Sequence, residues 1–90
     1  MVADPSQDLG EVLARSFRAE RARRGESQAE LGARLGWSQT KVSQVEAGAR
    51  RLYVHELPAI CRTLGVPLRR LLEGASDADL AALDLQVERR

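Results

Sequence analysis

Between residues 27 and 48 the apolar positions fall into two short groups. Leu31 and Leu35 recur at i and i+4, and after a break at Gly36 and Trp37 come Val42 and Val45 at i and i+3. Each group lines one helical face. The polar residues around them supply the ends. Ser27 with Glu30 three positions on forms the pattern of a capping box. Ser38 offers a hydroxyl cap to the second helix, a simpler one because Lys41 rather than a glutamate stands at its third position. Gly36 and Gly48 suit the left-handed backbone that follows a helix. The pattern predicts two short helices joined by a turn tight enough to make them cross steeply. Gly32 fits that geometry, since a glycine inside a helix costs about 1 kcal/mol against alanine. Its smallness lets the first helix come close to Val42 of the second.

The remaining pattern is also helical. Leu9, Val12, Leu13 and Phe17 form one stripe, with Asp8 and Glu11 placed to cap its start. A fourth helix lies within residues 53–64. It opens either at Tyr53 or at Leu57, and the second choice puts Pro58 at the first helical position, where proline is tolerated. A fifth is predicted over 67–73, burying Leu68, Leu71 and Leu72 and stopped by Gly74. Beyond it Ser76 and Asp79 open an acidic segment with Leu80, Leu83 and Val87 at helical spacing and Leu85 off the stripe. About twelve residues of helix are marginal alone, so this segment packs on the domain, packs on a twofold mate, or stays disordered. No repeat, low-complexity tract or strand pattern is present. The organisation is an N-terminal arm (1–8), a domain (9–74) containing a helix-turn-helix (27–48), and a tail (75–90).

The outward face of the second helix of the pair carries the candidate chemistry. With Val42 and Val45 turned inward, Thr40, Ser43 and Gln44 point outward, flanked by Gln39 and Lys41. A merely solvated helix face would more often carry Glu and Lys pairs at i, i+4. Amides and hydroxyls both donate and accept, as base edges require, and glutamine suits adenine in the major groove.

The residues RxxxG followed by SQAEL, the G-x-S-Q turn, the VSQVEAG helix and a later LGVP resemble the lambda repressor and Cro family of helix-turn-helix regulators, also called the XRE family. The resemblance runs from about residue 17 to 74. It implies an all-α, five-helix domain, here with a short C-terminal helical tail, whose third helix enters the major groove of double-stranded DNA. Carried across residue by residue, it implies that Gln28 contacts a phosphate and helps orient Gln39, that Gln39, Thr40 and Gln44 meet bases, and that Lys41 and Ser43 contact bases or backbone. Ser38, at the head of that helix, belongs to the same candidate set. The resemblance also pairs Arg21 with Glu46, read as a structural tie. There are departures. Glu26 replaces an apolar residue before the second helix, removing a hydrophobic staple to Leu31. Thr40 is shorter than the glutamine some relatives carry, and Tyr53 stands where the fourth helix commonly opens with Ser or Asp.

Charge sharpens the picture. The net charge of +1 conceals two basic blocks, residues 11–24 and 49–73, each summing to +3. The isoelectric point of about 8.0 lies below the ~9 of domains that hold nucleic acid by charge alone. A few well-placed phosphate contacts are therefore expected, assigned to Arg50 and Arg51 in the loop GARRL. In the family this loop follows the backbone or enters the minor groove. Arg23 and Arg24 close the first helix, where a favourable meeting with its dipole competes with contact to DNA.

Ninety residues make one domain, burying about 60–70% of its unfolded surface. With 43% apolar residues and only Phe17, Trp37 and Tyr53 aromatic, the core is built from Leu, Val and Ala. No apolar run reaches the ~20 residues of a membrane span and MVADPSQD is not a signal peptide. A cytoplasmic protein with no membrane partner is expected. Cys61 has no partner for an internal disulfide and falls on the apolar side of the fourth helix, which makes a buried thiol the expectation. His55 is expected to be exposed. One histidine and one cysteine make no metal site, no cofactor is expected, and no nucleophile, base and orienter can be assembled into an enzyme.

One such module reads only a few base pairs. Two copies on half-sites ~34 Å apart would supply specificity, so a homodimer on an inverted-repeat operator is expected, most simply a repressor acting by occupancy. The alternative is an antitoxin-type autoregulator whose acidic tail binds a partner protein.

Overall fold

The computed structural model describes residues 7–83 and residue 85. The chain forms α1 (Gln7–Arg23), α2 (Gln28–Leu35), α3 (Gln39–Glu46), a 3-10 turn (Val54–Glu56), α4 (Leu57–Leu64), α5 (Leu68–Leu71) and α6 (Asp77–Ala82). Among the described residues there is no strand, so the all-α, five-helix domain with a short helical tail is the observed class.

Seven side chains, Phe17, Leu31, Val42, Val45, Ile60, Leu64 and Leu71, form one buried cluster. They come from α1 through α5, one or two per helix, which is why helices too short to persist alone are stable together. Leu13, Leu35, Trp37, Leu52 and Leu57 cover the cluster from the side. Phe17 and Trp37 stack across it with ring centroids 5.9 Å apart.

Polar ties fix the outer helices. Glu20 is only 7% exposed, and Arg70 Nε donates to its carboxylate at 2.8 Å, fastening α1 to α5. Arg34 reaches from α2 to donate to the Thr63 carbonyl at 2.6 Å, satisfying a group that the end of α4 leaves open. It also pairs with Glu26 at 2.6 Å. The staple that Glu26 removes is thus replaced by an ion pair.

Several boundaries differ from the sequence expectation. Asp8 lies inside α1, which already includes Gln7, so the arm expected over 1–8 gives its last two residues to the helix. An acidic side chain favours a helix start from within the first turn as well as from the cap. Residues 1–6 of that arm lie outside the described residues. Of the two openings for the fourth helix, the chain takes Leu57, with Pro58 in the first turn and the 3-10 turn before it. The fifth helix is shorter than 67–73, because Leu72 already leaves the helical backbone at φ −103°, ψ 13°. Leu71 and Leu72 are buried even so. Cys61 is half-buried beside the core rather than enclosed, and that burial pushes its thiol pKa up. His55 is exposed, stacked on Tyr53.

In the tail, Ser76 Oγ accepts from the Asp79 amide at 3.0 Å as the spacing predicts, but the helix is six residues long. Leu80 is buried on its own domain, whereas Leu83, past the helix end, is 48% exposed. Val87 lies outside the described residues.

Candidate nucleic-acid interface

The interface begins at the joint between α2 and α3. Gly36 ends α2 with φ 76°, and the Trp37 amide donates back to the Gly32 carbonyl at 2.8 Å. A Cβ placed on Gly32 would lie 2.7 Å from the Trp37 carbonyl oxygen and 3.3 Å from Val42 Cγ2. The expected closeness to Val42 is present, but the tighter obstacle is backbone. That carbonyl belongs to the turn itself, so a side chain at Gly32 would displace the start of α3.

Residue by residue, α3 then presents itself as its pattern dictates. Val42 and Val45 are buried, at 0% and 1% exposure, and Gln39, Thr40, Ser43 and Gln44 are exposed. This outward row carries no charge and is brought together on one face. Ser38 Oγ accepts from the Lys41 amide at 3.1 Å, so the hydroxyl of this candidate contact serves the helix cap.

Two candidates are held in interactions that sequence reasoning did not foresee. Lys41 Nζ lies 2.8 Å from Glu56 Oε2 and 4.2 Å from the centroid of the Trp37 ring, bridging α3 to the 3-10 turn. The lysine and a backbone bond from Tyr53 together hold the Glu56 carboxyl below its ordinary pKa. The signal was present as the i, i+4 spacing of Trp37 and Lys41, where a cation can lie over a ring.

Gln28 is the second. The resemblance implied that it orients Gln39, but Gln28 Nε2 donates instead to Glu46 Oε1 at 3.1 Å. Two nitrogens of Arg21, at 2.5 and 3.0 Å, hold that carboxylate within reach of Gln28, and a carboxylate is a stronger acceptor than a neutral amide. The expected Arg21–Glu46 tie is thus present, and it raises the Arg21 pKa further above its usual value. The Gln39 side chain has no hydrogen-bond partner among the described residues.

At the other end of α3 the chain turns into the loop bearing Arg50 and Arg51, both exposed. Arg50 Nε donates to Gln44 Oε1 at 3.2 Å, linking a candidate backbone contact to a candidate base reader. Arg51 lines a recess with Leu13, Val45 and Leu52. Arg23 approaches Glu20 at 3.8 Å, and its placement at the end of α1 fits the dipole reading. No helix among the described residues is long and apolar enough to cross a membrane, and none of their His, Cys, Asp and Glu side chains cluster as a metal site would.

The sequence profile described as a helix-turn-helix domain matches residues 12–74, well over half of the chain. The chain belongs to the helix-turn-helix domain family. Two solved structures resemble this helix-turn-helix protein along most of its length. The clp gene regulator ClgR from C. glutamicum is 28% identical, with a TM-score of 0.69 over 74% of this chain and 86% of that one. A hypothetical transcription factor NHTF from Neisseria is 32% identical, with a TM-score of 0.69 over 91% and 92%. No curated protein matches the sequence. The fold is therefore that of the helix-turn-helix DNA-binding transcription regulators. The matched segment of this helix-turn-helix domain ends at Gly74 and leaves α6 outside it.

Proposed function

We propose that the protein is a sequence-specific, double-stranded-DNA-binding transcription regulator that lays α3 in the major groove. The observation carrying this reading is the uncharged row of Gln39, Thr40, Ser43 and Gln44, exposed on a helix whose opposite side is anchored by buried Val42 and Val45. Such groups match the donors and acceptors of base edges, and their anchoring fixes which edges they meet. Gln28, Arg50 and Arg51 supply phosphate contacts around them. Lys41 and Ser38 act mainly by holding α3, and reach the backbone only at the edge of the row.

The Arg50 bond to Gln44 refines the assignment. With Oε1 occupied, the Gln44 amide has its N–H groups to offer, which suits acceptors such as guanine O6 or N7 and thymine O4 as well as adenine N7. The domain is small, so we assign a homodimer reading an inverted repeat with half-sites ~34 Å apart, and repression by occupancy. The similarity to a clp gene regulator and to a hypothetical transcription factor supports a role in transcription.

Selection of bound sequences from a random duplex pool tests this reading. Gln44→Ala is expected to change the preferred bases at one position of each half-site. Arg51→Ala is expected to weaken every sequence alike and to lower the salt dependence by about one unit of slope. An unchanged preference profile for Gln44→Ala would remove it from the reading face, and binding to no duplex at low salt would overturn the function.

A further inference from the structure

Among the described residues some cations are paired, and others, Arg15, Arg18, Arg24, Arg51, Arg62 and Arg69, are not. Arg21, Arg23, Arg34, Lys41 and Arg70 are each paired with a carboxylate. Arg18 is exposed and has no hydrogen-bond or ion-pair partner among the described residues. It is also placed distinctively. Arg18 lines a recess of about 230 Å³ together with Arg21, Gln28, Ser43, Glu46 and Ala47, open on the side of α3 that carries Ser43. A second recess, about 270 Å³, continues from Arg18, Glu46 and Ala47 along α1 to Gly48. A groove thus runs between α1 and the end of α3, beside the base-reading row.

The charge of this groove is set by what is already neutralised. Glu46 is occupied by Arg21 and Gln28, which leaves the guanidinium of Arg18 as the uncompensated charge of the first recess. Gln28, on the same wall, is the first residue of α2, whose start is capped by the Ser27 hydroxyl and the Glu30 carboxylate. A cation free of ion pairs at a recess beside the reading helix suits a phosphate oxygen. Arg15, one turn back on α1, lines only the second recess, and its Nη2 lies 3.7 Å from the position of a Cβ on Gly74, so its tip is directed toward the end of α5.

We infer that Arg18 of α1 is a further phosphate-binding residue, clamping the DNA strand that borders the major groove on the side of Gln28 and Ser43. This rests on α3 being the reading helix. Arg18 then joins Arg50 and Arg51 as a backbone anchor beside the end of that helix, and together they set the depth to which it enters.

The test is affinity against salt between about 50 and 200 mM, for a duplex of the selected sequence and one of scrambled sequence. Arg18→Gln should lower affinity about fivefold near 150 mM for both duplexes and reduce the slope of log affinity against log salt by about 0.9. Arg18→Lys should recover most of both, because a point charge serves a single phosphate. Arg62→Gln, the same loss of charge on exposed α4 surface outside the groove, should behave as wild type. A thermal melt keeps folding separate, since the Arg18 side chain has no hydrogen bond or ion pair among the described residues. Wild-type affinity and slope in Arg18→Gln, or an equal loss in Arg62→Gln, overturns the clamp while leaving α3 as the reading helix. A wild-type protein that ignores both duplexes overturns the reading helix and the clamp together.

Discussion

The two joints that bracket α3 are built on opposite principles. The turn before it is filled. Gly32 leaves no space for a methyl group, Trp37 is stacked on Phe17 and covered by Lys41, and Ser38 caps the helix. The loop after it is open. Ala49 and Arg50 each return a backbone bond to the Gln44 carbonyl, at 2.8 and 3.2 Å, and from there Arg50, Arg51, Tyr53 and Val54 stand exposed. A turn without slack fixes the angle at which α3 leaves the domain, while the open loop leaves its arginines turned to solvent. The proposed recognition would use the first as a rigid reader and the second as anchors.

Substituting the glycines in these joints separates the two principles most strongly. Gly32→Ala gains helix propensity but puts a methyl group 2.7 Å from the Trp37 carbonyl, where backbone must move. The expected loss is about 2–3 kcal/mol, a fall in Tm of about 10–20 °C. Gly48→Ala meets nothing within 4 Å, and its only burden is the left-handed backbone at φ 73°. About 1 kcal/mol is expected there. Urea unfolding of the two variants would measure the contrast, and equal losses would mean that the tight turn has room to adjust.

Next in size is Glu46→Ala. It removes the acceptor that joins α1, α2 and α3, leaving the half-buried Arg21 with the Glu26 carbonyl at 2.8 Å and freeing Gln28. A loss of about 2 kcal/mol follows from stranding a partly buried charge. DNA binding should weaken beyond that, since Gln28 and the recess beside Arg18 lose their common anchor. A variant as stable as wild type would show that Arg21 re-pairs elsewhere.

What could be read in the residues themselves follows the same division. The capped ends of α2 and α3, the inward Val42 and Val45, the outward polar row and the need for a small residue at Gly32 are all local or periodic, and periodicity survives folding because the core must be covered. The partner of Gln28 and the ion pair of Lys41 were not legible, although the spacing of Lys41 from Trp37 was. Each depends on a carboxylate 15 or 18 residues away, Glu56 and Glu46, and the competition between a protein partner and DNA for one polar side chain leaves no trace in spacing. The end of α5 was over-read for a related reason. Leucines at helical spacing mark burial, and Leu72 is buried from a backbone that has already left the helix.

The smallest effect lies in the one ion pair that supports the filled turn from outside. Lys41 donates to Glu56 and lies over Trp37, so the charge on Glu56 helps hold the start of α3. Because the folded pKa of Glu56 is depressed, its contribution is present above the unfolded value near 4.5 and is lost as pH falls through the folded value. The side chains are partly exposed, which limits the pair to less than about 1 kcal/mol. Urea midpoints measured from neutral pH down to about pH 3 for the native chain and Glu56→Gln should therefore differ slightly near neutrality and converge below pH 4. The amide still accepts from Tyr53 but carries no charge, so only the pairing with Lys41 is removed. A gap that persists unchanged into acid would assign the difference to packing, and the turn would then owe its rigidity to Gly32, Trp37 and Ser38 alone.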